Sequence, residues 1–223
     1  MDATRSQPDN WSKARIEALS DGVFAIAMTL LVLEIKVPEL ARRVETATLW
    51  QAVSERWPLF FSFVVTFMLT SLFWSWHHVT FAYTRRADGV IVALNLLFLM
   101  FVSLLPFSTA MLGSFTLRQP VSLAFYFGNQ LALGLTLNAH WIYARHRGLI
   151  TDPDAPVPRR VSIAIRAQPI ACLATLVMVA VNPQFAFNTF ALVQLPVAVF
   201  MARRLRAEPR VPSSVCHDAP EGS

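Results

Sequence analysis

Long stretches without a charged residue alternate along this chain with short segments that carry most of its charges. The uncharged stretches are residues 57–76, 89–113, 119–144 and 167–202, with lengths of 20, 25, 26 and 36. Because a helix needs about 20 mainly apolar residues to cross a bilayer, each of the first three predicts one membrane-spanning helix. The fourth has room for two helices, and Pro183 divides it, since proline lacks an N–H group. The pattern predicts an all-α, polytopic membrane protein.

The first apolar stretch is shorter and more charged than the others. Its uncharged run, residues 22–33, has 12 residues; at 1.5 Å per residue it covers about 18 Å of a hydrocarbon core that is roughly 30 Å thick. Arg15, Glu17 and Asp21 precede this run, and Glu34 follows it. Because ionisable groups at membrane depth usually face protein or water, we expect the longer helices to surround this one, which is then shielded by them or lines a water path.

Together these stretches predict six transmembrane helices in a single domain, residues 12–206. A cytoplasmic arm, residues 1–11, precedes it, and a disordered cytoplasmic tail, residues 207–223, follows it. Helix 1 begins with Ser12 as its N-cap and ends before Pro38. The other five helices are predicted at residues 57–81, 88–112, 120–145, 159–181 and 183–206, with a kink at Pro106 in the third. A short amphipathic helix is expected in the loop 39–56 and a linker at 146–158.

The distribution of charge sets the expected orientation. A net charge of +5 would suit nucleic-acid binding, but with a cytoplasmic N-terminus 14 of the 19 Lys and Arg residues fall in inner segments. This excess follows the positive-inside rule, so we expect a plasma-membrane protein with both termini in the cytoplasm and no nucleic-acid partner. The sequence contains no catalytic motif and no metal-ligand spacing within a helix pair, so we expect no enzyme and no bound cofactor or metal.

Helical geometry separates two faces of the first helix. With about 100° per residue, Ala25, Met28 and Val32 lie within about 40° of Asp21. A second stripe lies about 120° to 180° away and contains Ile26, Leu30, Leu33 and Val37, with Thr29 beside it at about 80°. One interpretation is ordinary helix packing along this stripe, with Asp21 paired to a buried donor. The other is a pore at a symmetry axis, lined by the aliphatic stripe and braced from behind by Asp21.

Three sequence blocks resemble a known family. The segment 15–35, RIEALSDGVFAIAMTLLVLEI, resembles the first-helix signature of the bacterial branch of the transmembrane protein 175 family, the relatives of the endolysosomal potassium channel. That signature is Arg, three residues, Phe, Ser, Asp; Arg15, Ser20 and Asp21 match it, and Leu19 replaces the Phe. The blocks FWSWHHVTF at 73–81 and LNLLFLMFVSLLPFSTAMLG at 94–113 resemble the end of the family's second helix and its third helix.

The resemblance implies a potassium-permeable channel in the lipid bilayer. It implies a homotetramer of six-helix subunits in which helix 1 of each subunit lines the pore, without the TVGYG filter that this sequence also lacks. Carried onto this chain, the pore constriction is formed by Ile26 and Leu33, with Leu30 between them and Thr29 as a polar ring. Aliphatic rings offer no ligands, so they would select through pore diameter and through the cost of removing water from the ion.

A polar cluster is expected behind the pore. If helices 1, 2 and 3 pack at their cytoplasmic ends, similar depths are reached by Arg15, Ser20, Asp21, Trp74, His77, His78 and Asn95. Asp21 could then accept hydrogen bonds from His77 and from a tryptophan indole. In one interpretation this network fixes helix 1 and therefore the pore radius. In the other, it senses or relays protons, because histidine titrates near neutral pH.

The proton interpretation leaves an alternative function open. A proton-coupled secondary transporter or a proton-permeable channel would use the same aspartate and histidine cluster. Transporters are often built from inverted repeats with helices broken at the membrane midplane. Residues 1–113 and 114–223 show no such repeat, and the middle of helix 1 contains no proline or glycine break.

Overall fold

A computed structural model describes residues 12–38, 45–115, 118–151, 156–190 and 192. The helices in these ranges are α1 (Lys13–Leu33), α2 (Thr46–Ser54), α3 (Trp57–Tyr83), α4 (Gly89–Ser103), α5 (Leu105–Ser114), α6 (Pro120–His146) and α7 (Pro156–Val181), followed by a 3-10 turn, Pro183–Phe185. The described residues include an isolated antiparallel bridge between Thr84 and Ile150. The architecture is therefore helical, as the sequence predicts.

Four of the described helical segments are long and apolar enough to cross a membrane: Lys13–Leu33, Trp57–Tyr83, Gly89–Ser114 and Arg159–Val181. They correspond to predicted helices 1, 2, 3 and 5. Predicted helix 4 is present as α6, which has 27 residues and carries Asn129, Gln130, Asn138 and His140 along its length. Predicted helix 6 begins with helical residues 186–190. Most of its remainder, like the arm 1–11 and the tail 207–223, lies outside the described residues.

The predicted kink at Pro106 is a break between two helices. α4 ends at Ser103, and α5 begins at Leu105, with Pro106 in its first turn. Proline has no N–H to continue the ladder of hydrogen bonds, and its ring crowds the preceding turn. The backbone N–H of Leu104 instead donates to the Phe101 carbonyl at 3.2 Å, which closes α4 with a tighter turn.

The first helix packs on its own chain along a single stripe. Its buried residues are Ile16, Ser20, Phe24, Ala27 and Leu31, spaced at three or four positions as a helix face requires. This stripe contacts α3, α4 and α5. The described helices cover this one side of α1, and the expectation that the longer helices surround helix 1 stays a prediction.

The turn between α3 and α4 and the segment after α6 are hydrogen-bonded to each other, at the end of the molecule where Thr84 pairs with Ile150. Arg85 donates its backbone N–H to the Leu149 carbonyl, and Thr151 donates to the Tyr83 carbonyl, both at 2.8 Å. Leu149 and Ile150 are buried in the main hydrophobic core. The start of the expected linker 146–158 is therefore a packed element, because its two aliphatic side chains fill the core beside the end of α3.

The loop expected at residues 39–56 contains the short helix α2. None of the residues of α2 is buried, and Trp50 is among its exposed apolar side chains. α2 is followed directly by α3, whose first turn contains Pro58. Proline is tolerated there because the first N–H groups of a helix have no intrahelical partner.

Candidate functional site

The aliphatic stripe of α1 is exposed with respect to the described part of its own chain. Ile26 is 61% exposed, Leu33 68% and Leu30 41%. On the opposite side of the same helix, Phe24 and Leu31 are almost completely buried. An exposed row of branched aliphatic side chains beside a packed face is a surface that needs either lipid, a partner or a shared axis to cover it.

Thr29 lies on the exposed side of α1, next to this stripe. Its hydroxyl donates to the Ile26 carbonyl at 2.8 Å. A hydroxyl has one proton and two acceptor lone pairs, so this bond uses the proton and leaves the oxygen able to accept. Thr29 Oγ1 is therefore a neutral hydrogen-bond acceptor beside this hydrocarbon stripe.

Asp21 lies beside the packed stripe and is held from α3. The indole N–H of Trp74 donates to Asp21 Oδ1 at 2.8 Å. The Trp74 ring in turn stacks on the imidazole of His78, with ring centroids 5.7 Å apart and planes 25° apart. The tryptophan contact expected for Asp21 is present, and it connects the exposed carboxylate of α1 to a side chain one helix away.

His77 does not bond to Asp21, contrary to the expectation. Its Nε2 lies 2.8 Å from Asn95 Oδ1; since that oxygen only accepts, the imidazole N–H donates. Asn95 then donates through Nδ2 to Ser20 Oγ at 3.1 Å, and Ser20 donates to the Ile16 carbonyl at 2.9 Å. His77, Asn95 and Ser20 are all buried. The chain of donors ends on a backbone carbonyl of α1, so it ties α3 and α4 to α1.

The predicted polar cluster therefore divides into two parts. Ser20, His77 and Asn95 form a buried chain, whereas Asp21, Trp74 and His78 form a more exposed group. Arg15 is exposed on the first turns of α1 and is not among the partners of either group in the described residues. The separation follows from helix geometry, because Ser20 and Asp21 are adjacent in sequence and about 100° apart around the helix.

Sequence reasoning missed the aromatic shell around the buried chain. The His77 ring stacks on Phe98 with centroids 5.5 Å apart and planes 5° apart. Phe24 packs against both His77 and Phe98 at 5.9 and 5.8 Å. The available signal was spacing: Phe24 and Phe98 follow Ser20 and Asn95 by four and three positions, which places them on the same helix faces.

Among the described residues, no group of three or more His, Cys, Asp or Glu side chains could hold a metal ion. Cys172 is buried in α7, and Cys216 lies outside the described residues. Beside the exposed aliphatic stripe of α1, the described side-chain oxygen is the Thr29 hydroxyl.

Comparisons with known proteins agree on one family. A family model described as "Endosomal/lysosomal potassium channel TMEM175" matches residues 15–106. A potassium channel of Streptomyces collinus is 41% identical over 155 residues, which is 67% of this chain and 73% of the relative. The human endosomal/lysosomal proton channel TMEM175 is 39% identical over 114 residues, 49% of this chain and 22% of that protein.

A solved structure has the same fold. The crystal structure of a lysosomal potassium-selective channel TMEM175 homolog from Chamaesiphon minutus matches with a TM-score of 0.72 and 31% sequence identity. The match covers 84% of this chain and 96% of that one. The matched family model describes a channel and not an enzyme.

Proposed function

Because this chain belongs to the TMEM175 family, we propose that it is a potassium-permeable channel that conducts passively through a pore lined by α1 from four copies of the chain. Ions move down their gradient across the plasma membrane, with both termini of each subunit in the cytoplasm. The relatives from Streptomyces collinus and Chamaesiphon minutus are named as potassium channels.

The observation that carries this proposal is the exposure of Ile26, Leu30 and Leu33 on the side of α1 away from its packed stripe. In a tetramer these side chains form hydrophobic rings, which take the place of a filter of backbone carbonyls. An ion passes such a ring only by losing part of its hydration shell or by widening the ring. Potassium holds its water less tightly than sodium, so the rings favour potassium.

Thr29 completes the proposed conduction path. Its hydroxyl proton is bonded to the Ile26 carbonyl, so its oxygen can accept a partly dehydrated cation. Four such oxygens in one layer supply neutral ligands between the Ile26 and Leu33 rings. Behind the pore, the Asp21–Trp74 bond and the buried chain through Asn95 hold the rotation of α1 and therefore the radius of the rings.

Flux through liposomes tests the conduction mechanism. Purified full-length chain should carry sustained potassium flux down a gradient without any required counter-ion. Strictly stoichiometric exchange of protons for potassium would instead support a secondary transporter. Native mass spectrometry of the assembly checks the subunit count, and a monomeric conducting species would contradict the shared pore.

The substitution Ile26→Asn tests the constriction. A polar side chain lowers the cost of wetting the ring, so we expect higher conductance and weaker discrimination between potassium and sodium. The control is Ile163→Asn on α7, since Ile163 is 63% exposed and Ile26 is 61% exposed. Currents that are unchanged by Ile26→Asn, or changed equally by both substitutions, would remove Ile26 from the pore.

Proton permeation is a second candidate, and its basis is the hydrogen-bonded chain of His77, Asn95 and Ser20. Vertebrate relatives carry the name proton channel. In this chain the donors run from His77 to the Ile16 carbonyl and do not continue to Asp21. Proton flux into liposomes that survives in His77→Gln would place any proton route along the α1 pore and not through the hydrogen bonds of His77, Asn95 and Ser20.

A further inference from the structure

Two arginine-bearing connections lie side by side at one end of the helix bundle. Arg85 and Arg86 belong to the turn between α3 and α4, and Arg145 and Arg147 lie at the end of α6. The backbone hydrogen bonds of Arg85 to Leu149 and of Thr151 to Tyr83 hold these connections together. Arg85 Nε also lies 3.3 Å from Thr151 Oγ1. We call these four arginines the arginine corner.

A second tie brings the end of α6 to the beginning of α4. The Tyr143 hydroxyl donates to Asp88 Oδ2 at 2.8 Å. The other oxygen of Asp88 accepts the backbone N–H of Ile91 at 2.9 Å, as the N-cap of α4. Arg147 lies near enough for its charge to act on Asp88. Both carboxylate oxygens thus have donors, and the single negative charge of Asp88 offsets only part of the positive charge of the four arginines.

The corner combines exposed cations with exposed apolar side chains. Arg85, Arg86 and Arg147 are all exposed. Val90, near the start of α4, and Ile142, near the end of α6, are 46% and 41% exposed. A guanidinium group presents a planar set of donors that matches a phosphate, and the neighbouring aliphatic side chains can contact an acyl chain.

We propose that the arginine corner binds the phosphate headgroup of an anionic phospholipid in the adjacent membrane leaflet. The corner lies where α3 ends at Tyr83 and α4 begins at Gly89, both at the limits of apolar helices long enough to cross a membrane. A headgroup lies at this level, and its acyl chains extend toward Val90 and Ile142. Basic pockets between transmembrane helices bind anionic lipids in this way. The site is independent of ion conduction.

Lipid retention measured by native mass spectrometry tests the site on the full-length chain in detergent. Wild-type protein should retain phosphatidylglycerol in preference to phosphatidylcholine, and the preference should weaken as salt is added. Each of Arg85→Gln and Arg147→Gln should weaken phosphatidylglycerol binding roughly fivefold, and the double variant roughly 25-fold. Arg118→Gln is the matched control, because Arg118 is exposed at the opposite end of α6.

Two further experiments distinguish a loss of charge from a structural defect, and a lipid ligand from a soluble anion. The double variant with lysine at positions 85 and 147 keeps both charges but loses the planar set of donors, so its phosphatidylglycerol binding should fall between those of the wild type and the glutamine double variant. Equal loss in the lysine and glutamine double variants would mean a structural defect and overturn the proposal. So would unchanged retention in the glutamine double variant, or equal loss in Arg118→Gln. Displacement of the lipid by pyrophosphate in modest excess would assign the corner to a soluble anion instead.

Discussion

The Trp74 indole N–H donates to Asp21 Oδ1 at 2.8 Å, which joins α3 to α1 across 53 positions of the chain. Asp21 is exposed on the flank of the buried stripe of α1, so this bond holds the helix at its edge. The buried chain from His77 through Asn95 to Ser20 holds the same helix at its packed face. Two independent attachments at neighbouring positions restrict the rotation of α1 about its axis.

Removing the indole N–H should alter both conductance and ion preference. Trp74→Phe keeps a ring that can stack on His78 but cannot donate to Asp21, so α1 gains rotational freedom and the radius of the rings is no longer fixed. We expect altered single-channel conductance and a lower ratio of potassium to sodium permeability. Stability should fall by about 1 kcal/mol or less, because the bond is exposed. Trp50→Phe in α2 is the control; an unchanged conductance and permeability ratio in Trp74→Phe would contradict the bracing role.

Asn95 should be important for stability because both the oxygen and the nitrogen of its side-chain amide make hydrogen bonds in the core. Asn95→Leu leaves the His77 N–H without its acceptor in a buried site, which costs about 1 to 3 kcal/mol. The unfolding midpoint in detergent should fall accordingly. Asn188→Leu is the control, since Asn188 is exposed. Equal midpoints for Asn95→Leu and the wild type would mean that the buried chain contributes little to holding α1.

Gly113 permits close packing of α5 on α3. A Cβ atom at this position would lie 2.9 Å from the Leu59 Cα and 2.6 Å from Ser62 Oγ, so the helices would have to separate. We expect Gly113→Ala to destabilise the protein by about 1 to 3 kcal/mol, as overpacking does. Gly128→Ala in α6 is the matched control, because a Cβ there meets no atom within 4 Å. Unfolding midpoints that fall equally in both variants would contradict the close approach.

Asp88 should give the fold an acid-sensitive contribution. Partial burial acts to raise its pKa, but hydrogen bonds from the Ile91 and Val90 N–H groups and from Tyr143, with the charge of Arg147, outweigh it and hold the pKa below the usual value. The charged form therefore favours the folded state. Its contribution is complete above the ordinary aspartate pKa of about 4 and is lost as the pH falls through the lower folded-state value.

Asp88→Asn isolates this contribution. Asparagine can still accept the Ile91 N–H but carries no charge, so the variant should be less stable than the wild type near neutral pH. The difference between their unfolding midpoints should shrink as the pH falls below about 4. A difference that stays constant over this range would show that the charge of Asp88 does not stabilise the fold.

Sequence patterning predicted the apolar spans, but it did not predict the packed face of α1, which carries Ser20, Phe24 and Leu31. Uncharged length predicted the apolar spans, because the hydrocarbon core sets a minimum length for a helix. The angular spacing of residues along a helix is enough to separate Ile26 and Leu33 from Asp21. Pro106 marked the break in the third predicted helix, because the loss of its N–H is a property of the residue itself. The pore roles of Ile26, Thr29, Leu30 and Leu33 stay predictions.

Which side chains form hydrogen bonds with each other, in contrast, was decided by the tertiary structure. The sequence placed His77, Asn95, Ser20 and Asp21 at similar depth, but similar depth does not determine which groups meet. Packing of α1 on α3 and α4 turned Ser20 inward and left Asp21 at the edge, so Asn95 became the acceptor for His77 and Trp74 became the donor to Asp21. Likewise, only the fold joined Arg85 to the segment after α6. Periodicity along one helix is local, whereas each of these contacts depends on how separate helices are rotated and shifted against one another.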